Sequence, residues 1–197
     1  MSAETVDHEL GISWVEPGAT ARAAHAVADG GRVWLIDPFD DTAALEAAAQ
    51  LGQPAAVIQL LDRHNRDCEP IATRLGVPLM RLPSSGAGTP FEVVPIMSRG
   101  HWKELALWWP QREALIVAEA IGTAPGFAAG RDAGVHPMLR LTPPRAQLSP
   151  YRPQLLLVGH GRPLTSGAAP ALQDALARSR SDIPRLVVKL PSLLLGR

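Results

Sequence analysis

Between residues 32 and 82, apolar runs rich in β-favouring residues alternate with helix signals, and each strand gives way at once to polar residues. Arg32-Val33-Trp34-Leu35-Ile36 is a compact run entered through the turn signal Asp29-Gly30-Gly31 and ended by Asp37-Pro38, which predicts a buried strand. Asp40, Asp41 and Thr42 offer capping oxygens to a helix through Ala43, Leu45, Ala48 and Leu51, and Gly52 stands where a helix C-terminus wants a left-handed residue. Ala55 to Leu61 is nearly continuous in apolar character, as in a strand covered on both faces. The polar loop Asp62 to Cys68 leads into a short helix that ends at Gly76, and Val77 to Leu82 reads as another strand. Strand, helix, strand, loop, helix, strand is the order of an α/β domain.

The flanks carry shorter elements. Gly11 to Val15 and Ala24 to Ala28 are candidate strands separated by Pro17 and Gly18. Glu92 to Met97 reads as a strand, and Leu105 to Trp109 with Ala114 to Ala118 as a hairpin joined by Pro110-Gln111-Arg112. Residues 122 to 153 are Gly/Pro-rich and irregular, Leu155 to Val158 is a further buried strand ending in Gly159-His160-Gly161, and Pro170 to Ala177 has helical spacing. The apolar tail Leu186 to Leu195 has the character of a segment that packs on the core or on a second copy. With 46% apolar residues in 197, one core can be built, so the chain is read as a single domain. The 19 basic and 19 acidic residues cancel, which argues against nucleic acid or an anionic membrane as partner. One cysteine, Cys68, leaves no internal disulfide, and the start of the chain is acidic and polar where an export signal would be basic and then apolar. No apolar run approaches the ~18 to 20 residues needed to cross a bilayer. A soluble cytoplasmic protein is the expectation, and the paired Trp108-Trp109 together with the tail is compatible with a homodimer.

The sequence lacks a G-x-S-x-G elbow, a phosphate-binding G-x-x-x-x-G-K-[ST] loop and a complete G-x-G-x-x-G. What remains is polar residues placed directly after strands, where loops distant in sequence converge in α/β folds: Asp37, the loop Arg63 to Cys68, Glu119 after Ile116-Val117-Ala118, and His160. Each has a plain alternative. Cys68 at the start of a helix suits a small buried hydrophobe as well as a ligand, Asp37 and Glu119 suit loop-amide acceptors, Arg63, His64 and Arg66 suit a solvated loop, and Trp102, Trp108 and Trp109 suit core or interface positions.

With His101 added, the order of these residues resembles the metallo-β-lactamase superfamily of metal-dependent hydrolases. In that family a strand ending in Asp is followed by a helix, a second strand and an H-x-H-x-D-H loop, then by a Gly-His, a strand-end Asp and a last Gly-His. Here Val33 to Pro38, Arg63 to Cys68, Gly100-His101, Glu119 and Gly159-His160-Gly161 follow that order over roughly residues 10 to 165, leaving 166–197 as a C-terminal helix and tail. The resemblance implies a trimmed four-layered αβ/βα sandwich and a metal-dependent hydrolase acting on an ester, thioester or phosphoester. Arg63 and Asn65 stand at the two leading His positions and Cys68 at the trailing one. A guanidinium has no lone pair to donate, so the first of the family's two metal sites is expected to be lost. The resemblance leaves Asp67, Cys68, Glu119 and His160 as ligands for at most one zinc or iron ion, with His64 or His101 as proton shuttle. The other expectation is a catalytically inactive relative that binds a small anionic ligand through Arg63 and Arg66 or serves as a protein-interaction module.

Overall fold

The computed structural model describes residues 2–185; the apolar tail read from the sequence lies outside them. Strands β1 (Glu4–His8), β2 (Gly11–Val15), β3 (Ala23–Asp29) and β4 (Arg32–Ile36) form an antiparallel meander, followed by helix α1 (Thr42–Gln50), strand β5 (Gln53–Gln59), helix α2 (Cys68–Leu75) and strand β6 (Leu79–Arg81). Strands β5 and β6 add in parallel beyond β4, completing a six-stranded sheet in chain order. A second sheet is built from β7 (Glu92–Arg99), β8 (Trp102–Trp109) and β9 (Ala114–Val117), and further on come the two-residue strand β10 (Ile121–Gly122), the single turn α3 (Pro125–Ala128), β11 (Gly134–Val135), the turn α4 (Arg145–Leu148), β12 (Leu155–Val158) and α5 (Ala168–Arg178). The second sheet has the order β12-β9-β8-β7, with β12 parallel to β9 and the rest antiparallel.

Strand periodicity decides what each face meets. In β4, Trp34 and Ile36 turn into the core shared with Leu107, Trp109 and Ile116 of the second sheet, whereas Val33 and Leu35 face the helix side with Ala44, Ala48, Ile71 and Ala72. Trp34, Phe91 and Trp109 meet edge-on, with ring centroids 5.3 to 6.4 Å apart, a geometry favoured by the aromatic quadrupole. On the far side, Ala171, Leu172, Ala175 and Leu176 of α5 join the same core. The layers therefore run helix, sheet, sheet, helix. The helices end as their residues dictate: the Asp41 side chain accepts from Ala44 N at 3.0 Å, and Gly76 closes α2 with φ of 65°.

The sequence reading missed β1, whose Glu4-Thr5-Val6-Asp7-His8 looks acidic and polar. As an edge strand pairing only with β2, it exposes Glu4, Thr5 and Asp7 to solvent, and polar residues are what such an edge tolerates. Parallel pairs β4-β5 and β9-β12 direct their C-terminal ends to a common rim. Ala23 N donates to Gly159 O at 2.8 Å, and Asp62 N and Leu105 N bond Lys103 O and Leu60 O across to β8.

Candidate metal centre

The rim is organised by the segment leaving β5. Gln59 turns back so that its side-chain amide donates to Leu61 O at 2.8 Å and Asn65 Oδ1 at 3.1 Å. Asp37, which like Arg66 has a left-handed backbone (φ of 45° and 41°), is buried and accepts from Leu60 N through one carboxylate oxygen at 2.9 Å. Its other oxygen lies 2.8 Å from His64 Nδ1.

That contact determines the imidazole. A carboxylate only accepts, so Nδ1 of His64 carries a proton, and Nε2 faces the Arg66 guanidinium, which can only donate, at 3.5 Å. The same logic holds for His160, whose Nδ1 lies 2.8 Å from the carbonyl of Thr20. Its Nε2 is buried and has no hydrogen-bond partner among the described residues, and burial pushes its pKa down to about 4, so the ring is neutral at physiological pH. Glu119 lies close to both rings. Donor atoms of His64, Glu119 and His160 all lie within 4.8 Å of one another. Glu119 Oε1 is 3.8 Å from His160 Nε2, and its Oε2 accepts from Arg63 at 2.5 Å. Burial works against the charge of Glu119, but the hydrogen bond from Arg63, with the neighbouring His136, the Arg63 charge and His64, outweighs it and holds the carboxyl below its ordinary range. Two imidazoles and one carboxylate, each steadied from behind by Asp37, the Thr20 carbonyl or Arg63, form a donor set suited to a single divalent ion.

The other residues singled out in the sequence go elsewhere. Asp67 uses Oδ2 to accept from Asp40 N at 2.8 Å, at the start of α2. The buried Cys68 thiol faces the carbonyls of His64 and Pro38, and burial beside the Asp37 carboxylate pushes its pKa up to about 12. Neither Asp67 nor Cys68 belongs to the three-residue group. His101 sits exposed in the β7-β8 turn and offers its carbonyl to Arg63 at 3.0 Å. The Arg63 guanidinium also lies 4.2 Å over the Trp102 ring, an attractive placement. Arg66, read as an anion binder, turns inward onto backbone carbonyls.

Two residues at the rim escaped the sequence reading. His136 follows β11, with Nε2 3.9 Å from Glu119 Oε1 and its ring against Trp102 and Phe127 at 4.9 and 5.2 Å. It accepts from Met138 N through Nδ1, so Nε2–H points toward Glu119. The signal was a His directly after the apolar Gly134-Val135, but a two-residue strand has no periodicity to reveal it. Glu104, fully buried in β8, accepts from the amides of Glu119 and Ala120 and from the Trp102 indole; burial, partly offset by these bonds, raises its pKa to about 7.

No protein-family model matches this sequence, and neither does any curated protein. Solved structures do match. The metallo-β-lactamase DIM-1 exposed to ceftazidime aligns with a TM-score of 0.62 at 12% identity, covering 92% of this chain and 98% of that one. A diflavin flavoprotein A 5 from Nostoc sp. PCC 7120 gives 0.64 at 15% identity with the same coverage, and a metallo-β-lactamase from Hirschia baltica gives 0.58 at 13%, covering 93% and 98%. The chain has the metallo-β-lactamase fold. Among the described residues no helix is long and apolar enough to cross a membrane.

Proposed function

We propose that this protein is a divergent metal-dependent hydrolase of the metallo-β-lactamase fold, holding one divalent zinc or iron ion between His64, Glu119 and His160 and acting on a small ester, thioester or phosphoester. The observation that carries the reading is the buried, unpartnered Nε2 of His160 beside Glu119 and His64, since a buried polar atom without a partner is costly unless something fills the gap. Asp67 and Cys68 drop out of the ligand set, because the first is bonded to the Asp40 amide in the loop before α1 and the second is a protonated thiol facing carbonyls. A bound ion would supply Lewis-acid polarisation of the substrate and activation of water near neutral pH. Asp37 and Thr20 O hold the two imidazoles in the tautomer that offers Nε2, and Arg63 holds Glu119 ionised. His136 keeps a donor N–H on the same side, placed to hydrogen-bond a developing negative charge on the substrate.

Arg63 supports a second reading. Its half-exposed guanidinium already satisfies Glu119, which suits a catalytically inactive relative whose charge pair stands in for an ion and offers its outer face to a small anion. Elemental analysis of protein purified without chelator separates the two. About one zinc or iron per chain, lost in His64→Ala and His160→Ala, is expected; less than about a tenth of an equivalent, with thermal stability unchanged by chelator, overturns the first reading.

A further inference from the structure

Arg66 is the most heavily bonded side chain of the rim. Its Nη1 donates to Ala23 O at 2.5 Å and Asp37 O at 2.8 Å, and its Nη2 donates to Gly159 O at 3.2 Å and lies 3.5 Å from His64 Nε2. The three carbonyls belong to the start of β3, the end of β4 and the end of β12, so a single planar cation ties strand ends of both sheets. One of them immediately precedes His160, and another belongs to the residue whose carboxylate orients His64. Converging carbonyl dipoles in a buried place repel one another unless a cation lies among them. Arg66 reaches the position from a left-handed backbone, at φ of 41°; strain of this kind in a residue other than glycine persists only where the surroundings impose it.

We infer that these carbonyls form a guanidinium-binding cradle and that Arg66 is a built-in cation that sets the positions of His64 and His160 before any metal arrives. Arg66 is a positioning residue, acting through the carbonyls of Asp37 and Gly159. The planar fork matters more than the charge, because three acceptors arranged around one plane suit a guanidinium and not an ammonium. The inference deepens the metal-centre reading by naming what preorganises it, but the cradle exists without the metal.

The test uses the full chain, with chelator present so that the metal reading is not involved. Arg66→Ala is expected to lower Tm by about 5 °C or more, and millimolar methylguanidinium, entering the vacated cradle, is expected to restore at least half of that loss while leaving the wild-type Tm unchanged. Imidazole N–H signals in heteronuclear NMR provide a readout that simple destabilisation does not move: His64 is expected to show one tautomer in the wild type, two in the variant, and one again with methylguanidinium. Should Arg66→Ala fail to fold, Arg66→Lys, which keeps the charge and loses the fork, is expected to fold with the same mixture of His64 tautomers. An unchanged Tm in Arg66→Ala, an equal response of wild type and variant to methylguanidinium, or a single His64 tautomer in Arg66→Lys overturns the inference. Absence of metal from the wild type would overturn only the hydrolase reading.

Discussion

Cys68 shows how environment chooses among the chemistries a side chain could offer. A thiol at the start of a helix, next to Asp67, reads from the sequence as a small hydrophobe or as a metal ligand. Packed among the α1-α2 layer and facing carbonyls, it is a protonated hydrophobe, because desolvation penalises the thiolate more than the nearby guanidinium favours it. Two outcomes are expected. In the folded protein a thiol reagent labels less than about a tenth of Cys68 at neutral pH, with full labelling after denaturation. The folded pKa of about 12 also lies above the ordinary 9.0, so the buried neutral thiol contributes stability that is complete below pH 9 and lost as pH rises toward 12. Denaturant midpoints measured through that window are expected to fall more steeply for the wild type than for Cys68→Ala.

At the scale of elements, the turn after β12 is the tightest constraint on the centre. A Cβ on Gly159 would come within 2.1 Å of Ala118 O, so the backbone after β9 or β12 would have to shift, and within 3.1 Å of His64 Cε1, so the imidazole would be crowded as well. Gly161, at φ of 102°, faces Thr123 and Ala124 as closely. Gly159→Ala is expected to cost about 1 to 3 kcal/mol in urea unfolding and to weaken metal uptake about tenfold by displacing His64, read by titration with Co(II). A stability loss with unchanged uptake would detach the turn from the centre. The Gly-His-Gly pattern was legible in the sequence as a strand-end site. That its first glycine is needed by His64, 95 positions earlier, was not.

For the whole molecule, stability and site share one source, the core between the two sheets. Trp109 is 2% exposed and meets Trp34 and Phe91 edge-on, joining β8 to β4. Trp109→Ala is expected to cost about 3 to 5 kcal/mol in urea unfolding, and because the proposed ligands come from both sheets, metal uptake is expected to fall along with stability.

The alternation over residues 32–82 and the strand-end residues Asp37, Glu119 and His160 could be read from the sequence because they depend on local periodicity and on residue type. The grouping of His64, rather than Asp67 or Cys68, with Glu119 and His160, the inward turn of Arg66 and the presence of His136 beside Glu119 could not. Those depend on which way a side chain leaves an irregular loop, and on which carbonyls and carboxylates the opposite sheet presents to it. Such directions are settled by desolvation and hydrogen-bond satisfaction across distant segments, terms that come into being only once both sheets have closed over one another.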